Sequence, residues 1–401
     1  MQGTITERIQ KEGLDRNGKA RKNLKVYDVI FRFTDPETGR RKQAMKRGFL
    51  RKQDAEAFLV DVNQKQAAGC FIAPKAVLMR DFLNDWLETY AKLNVRQSTY
   101  YEYKRILDHH LIPHLGGIEL QQLSASHLDR MYATLLTKGR ADGKGGLAPR
   151  SVLYTHRVLN SALHYALKQR LILYNPAVGV SNTPKPKKFH VEVYTPEEML
   201  KLLDVAQGSI FEVPIAFAGI CGLRRGECLG MDIDSIDFEN KVIHVVRQLI
   251  DIEGELVFSE PKSEDSHRVI HAPDEVFAIL QRRLAFIEHC KDVLRKGYAD
   301  HHLIVCENDG RPINPKGFTH RFKDFLKKNG MRPIRFHDLR HSCASLMLKS
   351  GVELKTASAI LGHSSIGITA DLYTHVLEDS KKNAAERIGH ELFGRNETTE
   401  Q

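Results

Sequence analysis

Phe336-His337-Asp338-Leu339-Arg340-His341 sets one arginine and two histidines within six residues, with Arg224 upstream and Tyr373 downstream. These residue types suit chemistry at a phosphate. A guanidinium is a planar fork of donors that can hold two phosphate oxygens at once. A tyrosine hydroxyl can attack phosphorus and stay attached to it. Converging on one phosphodiester, the set would exchange a sugar–phosphate bond for a protein–phosphate bond. A metal reading fits less well. His337 and His341 stand four apart, but Asp338 rather than Glu follows His337, and Arg340 would repel a cation.

Three more segments bear on the same chemistry. In Cys221-Gly222-Leu223-Arg224-Arg225-Gly226-Glu227, three-residue spacing at a helix start lets Glu227 hold the Arg224 side chain. Lys262 sits in Pro261-Lys262-Ser263-Glu264, a turn between two expected strands. His337 and Arg340 share a helix face by the same spacing as Arg224 and Glu227. In Leu361-Gly362-His363, Gly362 suits a helix C-terminus and delivers His363 just beyond it. Taken singly, each has a plain structural reading: a surface Arg–Glu pair, a solvated turn lysine, a satisfied helix histidine, a half-buried Tyr373.

Elements must carry these residues. Val26 to Phe33 and Arg40 to Lys46 read as strands around the turn Asp35-Pro36-Glu37-Thr38-Gly39, and Arg51 to Ala68 as a helix. Residues 76–178 read as all-helical. Leu78, Phe82, Trp86 and Tyr90 recur every four residues, further helices cover Thr99 to His110 and Ser124 to Leu136, and Pro149 opens a long one to about Gln169. Tyr100, Tyr101 and Tyr103 beside Lys104 and Arg105 fit either a core or a DNA face. Residues 179–193 form a linker whose Ser181-Asn182-Thr183-Pro184-Lys185-Pro186-Lys187-Lys188 is extended and basic. Thr195-Pro196-Glu197-Glu198 is a capping box. Beyond it, helices alternate with a β-meander: Lys241 to Ile250, Glu255 to Phe258 and Arg268 to His271. Helices then follow at about Asp274 to Cys290, Phe318 to Lys328, His337 to Leu348, Leu354 to Ile360 and Ile368 to Leu377.

The formal net charge of +10 is unevenly spread over the 401 residues. Residues 1–75 hold 17 Lys and Arg against 9 Asp and Glu, a surplus of eight, which leaves two for the rest of the chain. A basic unit of this kind suits a polyanion, with Arg40, Arg41, Lys42 and Lys46 on the expected sheet and Lys185, Lys187 and Lys188 in the linker as DNA-contact candidates. The six cysteines form no C-x-x-C pair, and no apolar run is long enough to span a bilayer. A reduced, cytosolic setting is expected.

Order and spacing of the five segments resemble the tyrosine recombinases, the phage-type integrase family. That family carries an Arg in T-G-x-R-x-x-E, a hairpin Lys, H-x-x-R, L-G-H, and a Tyr about ten residues later. The matching residues here are Arg224 with Glu227, Lys262, His337 with Arg340, His363 and Tyr373. One departure is Cys221 where the family has Thr, a position outside its catalytic set. The resemblance covers the chain except about its last ten residues. It implies a small α+β arm-site DNA-binding domain over 1–75, a three-stranded sheet plus helix. It further implies an all-α core-site domain over 76–178, the basic linker over 179–193, and a mixed, mainly α catalytic domain with a small antiparallel sheet over 194–401.

The resemblance also implies roles. Arg224, Arg340 and His363 would neutralise or hydrogen-bond the phosphate, His337 would take the phenol proton or hold a hydrogen bond as it leaves, Lys262 would protonate the leaving 5′-oxygen, and Tyr373 would be the nucleophile. Neither metal nor ATP would be needed, and no cofactor is expected. The implied partners are double-stranded DNA at core and arm attachment sites, a homotetramer on that DNA, an excisionase and a host DNA-bending protein, all in a bacterial cytoplasm. The tail from Ser380 to Phe393 is amphipathic and would pack on a neighbouring protomer or back on its own domain. Two other readings share some features: a type IB topoisomerase and a noncatalytic DNA-binding protein.

Overall fold

The computed structural model describes residues 3–14, 19–34, 40–67, 77–181, 183–186, 192–260, 267–362, 365–367 and 370. It divides into two compact units, Met1–Lys187 and Lys188–Gln401. The division falls inside the basic 179–193 segment.

The first unit holds two separate cores. At its start, β1 (Gly3–Leu14), β2 (Ala20–Thr34) and β3 (Arg41–Phe49) form an antiparallel sheet in the order β1-β2-β3, backed by α1 (Lys52–Ala67). β2 alternates along its length. Val29, Phe31 and Phe33 point at the helix and bury against Ala55, Leu59 and Val62. Arg40, Arg41, Lys42 and Lys46 are exposed. β1 is the strand that sequence patterning left unassigned. Its composition is polar (Thr4, Thr6, Glu7, Arg8, Gln10), so it lacks the apolar alternation that marks a strand, and it is held by a long register with β2.

The helical part contains α2 (Met79–Trp86), α3 (Lys92–Asn94), α4 (Gln97–Ile106), α5 (Ile112–Leu115), α6 (Ala125–Lys138) and α7 (Pro149–Lys168). A π-helical turn, Leu87–Ala91, joins α2 to α3, and a second, Leu107–Leu111, joins α4 to α5. Each adds one residue per turn and resets which face is apolar. Phe82, Trp86, Leu107, Tyr132, Leu159 and Leu163 lie in one core. Tyr103 stacks on Trp86 at 5.7 Å between centroids, and Tyr100 bonds Glu88. These two tyrosines therefore serve the helical packing.

The second unit begins as its capping box requires. The Thr195 hydroxyl accepts from Glu198 N at 3.2 Å, Glu198 accepts from Thr195 N at 2.9 Å, and α8 (Pro196–Ala206) follows. α9 (Glu212–Gly219) is buried all round, so it serves as the central post of this unit's core. α10 (Arg225–Gly230) leads into β4 (Ile236–Asp237), β5 (Val242–Val245), β6 (Gln248–Ile252), β7 (Glu255–Ser259) and β8 (Arg268–His271). The expected single meander is corrected here. Within the described residues β4, β5 and β8 form one sheet, and β6 and β7 form another. The expected strand from Lys241 to Ile250 breaks at Val246-Arg247, where Arg247 turns in to meet Asp232 at 3.0 Å and the Gly230 carbonyl at 2.7 Å. Among the described residues β7 and β8 are thus not paired with each other. α11 (Asp274–Leu294), α12 (Pro315–Lys328), α13 (Phe336–Lys349) and α14 (Leu354–Leu361) complete the described unit. No described helix is long and apolar enough to cross a membrane.

Candidate active site

Three arginines from three separate elements meet the end of α14. Arg224 is the residue before α10, Arg268 opens β8 and Arg340 lies in the first turns of α13. They donate to three consecutive carbonyls: Arg268 Nε to Ile360 O at 2.7 Å, Arg340 Nη2 to Leu361 O at 2.5 Å, and Arg224 Nη2 to Gly362 O. The last carbonyls of a helix have no intrahelical partner and carry its partial negative charge. Here guanidiniums take that place, so the helix end holds cations together that would otherwise repel. Gly362 adopts φ 63° and ψ 49°, which ends α14 and turns the chain towards His363.

Backbone geometry places Arg224. α9 ends at Gly219, and the chain turns at Gly222 with φ 70°. A Cβ at Gly222 would lie 2.7 Å from Leu361 Cδ2, so the close approach to α14 also demands glycine. The Gly222 carbonyl accepts from Arg340 Nη1 at 2.6 Å. Arg340 is only 2% exposed, and its fork bridges the turn before Arg224 to the turn before His363.

Glu227 is the anion of the cluster. One of its oxygens accepts from Arg224 Nη1 at 2.7 Å and the other from Arg224 N at 2.8 Å. Both also accept from Arg268, at 3.2 and 2.8 Å. Burial alone would raise the Glu227 carboxyl, but Arg268 and then Arg224 outweigh it and hold the pKa below the usual value. Glu227 is therefore a buried carboxylate. Arg224 is the more open of its two cations, with a side chain 31% exposed against 6% for Arg268.

α13 brings the histidines. Arg335 and Asp338 fix its start: the Asp338 carboxylate accepts from Arg335 N at 2.9 Å and from its Nη2 at 2.5 Å. Exposed His337 and buried His341 stack edge to face at 4.9 Å. Desolvation, then His341, Arg340 and Arg335, lower His337 to about 4. Burial lowers His341 to about 4 as well, with Arg340 and Arg335 adding and Asp338 opposing. Burial and the neighbouring arginines thus favour the neutral form of both rings.

Arg224, Glu227 and Arg340 thus meet in one cluster, and His337 is on the helix that carries Arg340. Lys262, His363, Tyr373, Lys187, Lys188 and the 380–393 tail lie outside the described residues, while Lys185 is described and exposed. Arg268 belongs to the cluster although the sequence reading left it as a strand residue. Among the described residues no group of three His, Cys, Asp or Glu could hold a metal. Cys221, Cys228 and Cys343 are buried free thiols around this turn, and Cys343 Sγ donates to Ile220 O at 3.1 Å.

Comparison with known proteins agrees with this organisation. Residues 192–380 match the phage integrase family, 78–136 the phage integrase N-terminal SAM-like domain, and 17–66 an arm DNA-binding domain. A "Tyrosine recombinase XerC-like" protein of Caldanaerobacter subterraneus subsp. tengcongensis is 26% identical over 366 residues, covering 85% of this chain and 90% of that protein. The ICEBs1 integrase of Bacillus subtilis is 25% identical over 368 residues, covering 90% and 95%. In fold, the chain is similar to the Tn1549 transposon integrase solved with circular intermediate DNA. The TM-score is 0.65 at 23% identity, over 78% of this chain and 99% of that one. The chain belongs to the phage integrase family of tyrosine recombinases, enzymes that break and rejoin DNA.

Proposed function

We propose that this recombinase integrates and excises a mobile element, a prophage or a conjugative transposon, through a 3′-phosphotyrosine intermediate. The observation that carries the reading is the convergence of Arg224 and Arg340 on the Leu361 and Gly362 carbonyls, immediately before His363 and about ten residues before Tyr373. Phosphodiester attack builds charge on the nonbridging oxygens. Arg224 and Arg340, with His363 donating a hydrogen bond, neutralise that charge in a preset geometry. The Tyr373 oxygen forms the new bond to phosphorus as the bond from phosphorus to the 5′-oxygen breaks. A free tyrosine has a pKa of about 10, and the two guanidiniums favour its phenolate. His337 takes the phenol proton or holds a hydrogen bond to it as it leaves, the second role being the one its lowered basicity favours, and Lys262 supplies a proton to the departing 5′-oxygen. The phosphotyrosine conserves the bond energy, so reversal with a new 5′-hydroxyl rejoins the strand.

In this proposal residues 1–75 bind arm sites, with Arg40, Arg41, Lys42 and Lys46 towards the phosphates. Residues 76–178 bind the core site, and residues 179–193 form a linker whose Lys185, Lys187 and Lys188 track the backbone. Residues 194–401 catalyse, and their tail from Ser380 to Phe393 packs on a neighbouring or the same protomer. Four protomers act on two duplexes in the bacterial cytoplasm, with an excisionase and a DNA-bending protein setting direction. The test is strand transfer between two differently marked duplexes carrying the element's junction sequences. Recombinant products with trapped covalent protein–DNA support the proposal. Relaxation of supercoils without strand transfer would favour a type IB topoisomerase, and DNA binding without any adduct would favour a noncatalytic role.

A further inference from the structure

We infer that Arg268 is a positioning residue for phosphate activation, setting the Arg224 fork through Glu227 and the end of α14 through the Ile360 carbonyl. The inference rests on the recombinase reading above and adds a residue to it.

Arg268 divides its donors between two tasks. Nη1 and Nη2 reach both oxygens of Glu227, at 3.2 and 2.8 Å, while Nε reaches Ile360 O at 2.7 Å. Its side chain is 6% exposed and that of Glu227 is 2% exposed, so water competes little for these bonds. Glu227 in turn grips Arg224 through both Nη1 and the backbone N–H. One continuous path therefore runs from Ile360 O through Arg268, Glu227 and Arg224 to Gly362 O, closing on the same helix end two residues away. Arg340 grips Leu361 O between them. The loop of contacts fixes the fork of Arg224 relative to the turn that leads to His363.

Removing Arg268 would leave Glu227 paired with Arg224 alone. The carboxylate would draw that guanidinium inward, away from a phosphate, and the Ile360 carbonyl would lose its donor. A lysine cannot repair this. Its ammonium is a single point on a flexible stem, whereas the native contact needs three donors in one plane reaching three oxygens on two residues. All three Arg268 nitrogens already donate, two to Glu227 and one to Ile360 O, so its effect passes through Arg224. A purely structural ion pair between β8 and α10 would behave differently: its loss would lower stability without discriminating between a charged and an uncharged phosphate.

That difference supplies the experiment. Single-turnover cleavage is measured for the full chain on a nicked core-site substrate that traps the covalent adduct. The scissile group is either the natural phosphodiester or a methylphosphonate, in which a methyl replaces one charged oxygen. Wild type, Arg268→Met, Arg268→Lys and Glu227→Gln are compared, with thermal melting and DNA binding as controls. On the phosphodiester, Arg268→Met and Arg268→Lys should each cleave about 10- to 100-fold more slowly than wild type at unchanged DNA affinity, the scale of an angstrom-level misplacement. On the methylphosphonate, where there is less charge for Arg224 to neutralise, the deficit relative to wild type should shrink to a few-fold. The Arg268→Met Glu227→Gln double variant should be no slower than the slower single variant. Equal deficits on the two substrates in folded Arg268→Lys protein would overturn the inference, as would wild-type rates. Failure of the wild-type chain to form any adduct would instead remove the recombinase reading on which it stands.

Discussion

Arg340 donates to the carbonyl of Leu361 while its other Nη reaches Gly222 O, so one buried side chain pins the chain segments ahead of Arg224 and His363. This arginine therefore has a structural duty beside the phosphate-binding role proposed for it. Replacing it by alanine would leave two buried carbonyls without these donors, at roughly 1–3 kcal/mol each. We expect Arg340→Ala to lower the stability of the catalytic unit by about 2–4 kcal/mol and to abolish adduct formation. Arg340→Lys should retain more stability and still cleave slowly. Urea unfolding and adduct trapping, run side by side, separate the two effects. An Arg340→Ala protein as stable as wild type would show that the Gly222 and Leu361 contacts are dispensable.

Tyr373→Phe removes one oxygen and should leave core-site affinity within about two-fold, a change under 0.5 kcal/mol. It should yield no covalent complex on a nicked substrate, since the ring without its hydroxyl offers no nucleophile. Gel-shift titration measures the first property and denaturing electrophoresis the second. Adduct in the variant would reassign the nucleophile.

Much of this was legible in the sequence, for reasons that differ from residue to residue. The capping box at Thr195 and Glu198, the Arg224–Glu227 spacing and the turn at Gly362 are local devices, and local devices leave local patterns. β1 left none, because a polar strand is held by backbone pairing that composition does not reveal. The split of the meander into two sheets depends on Arg247 reaching Asp232 and Gly230, contacts at separations that no period encodes. Arg268 escaped notice for a similar reason. It meets Glu227 from 41 residues away, and nothing in its immediate neighbours marks the pairing.

Acid should destabilise the DNA-free protein through α13. The fold lowers both His337 and His341 from 6.5 to about 4. Between those values the unfolded chain binds protons that the folded chain does not, so stability rises with pH across that window. Their contribution is fully present above about pH 6.5 and is lost as pH falls towards 4. Melting temperature measured from pH 8 to pH 4 should fall across this range. The fall should be shallower in His341→Gln. An unchanged slope in that variant would place the acid sensitivity elsewhere.

Lys262→Ala should cleave a natural core site poorly, because the departing 5′-oxygen is a strongly basic leaving group that needs a proton. A 5′-thiolate leaves without one, so a 5′-phosphorothiolate substrate should bring the variant close to the wild-type rate. Single-turnover rates on the two substrates make the comparison. An equal deficit on both would assign Lys262 to phosphate binding rather than to proton donation.

The charge distribution makes a separate prediction. Residues 1–75 carry eight of the ten surplus positive charges, and Arg40, Arg41, Lys42 and Lys46 are exposed on or beside β3. Binding by phosphate contacts releases counterions, so the slope of log affinity against log salt reports how many contacts form, at about 0.9 per phosphate. A chain lacking residues 1–75 should bind arm-site DNA more weakly and with a shallower slope. Its cleavage of a core site should persist, because the Arg224, Glu227, Arg268 and Arg340 cluster is built wholly within the second unit. Titrations at several salt concentrations, paired with adduct trapping on core DNA, test both halves. Unchanged arm affinity and slope would mean that the basic sheet is a solvated face with no role in holding DNA.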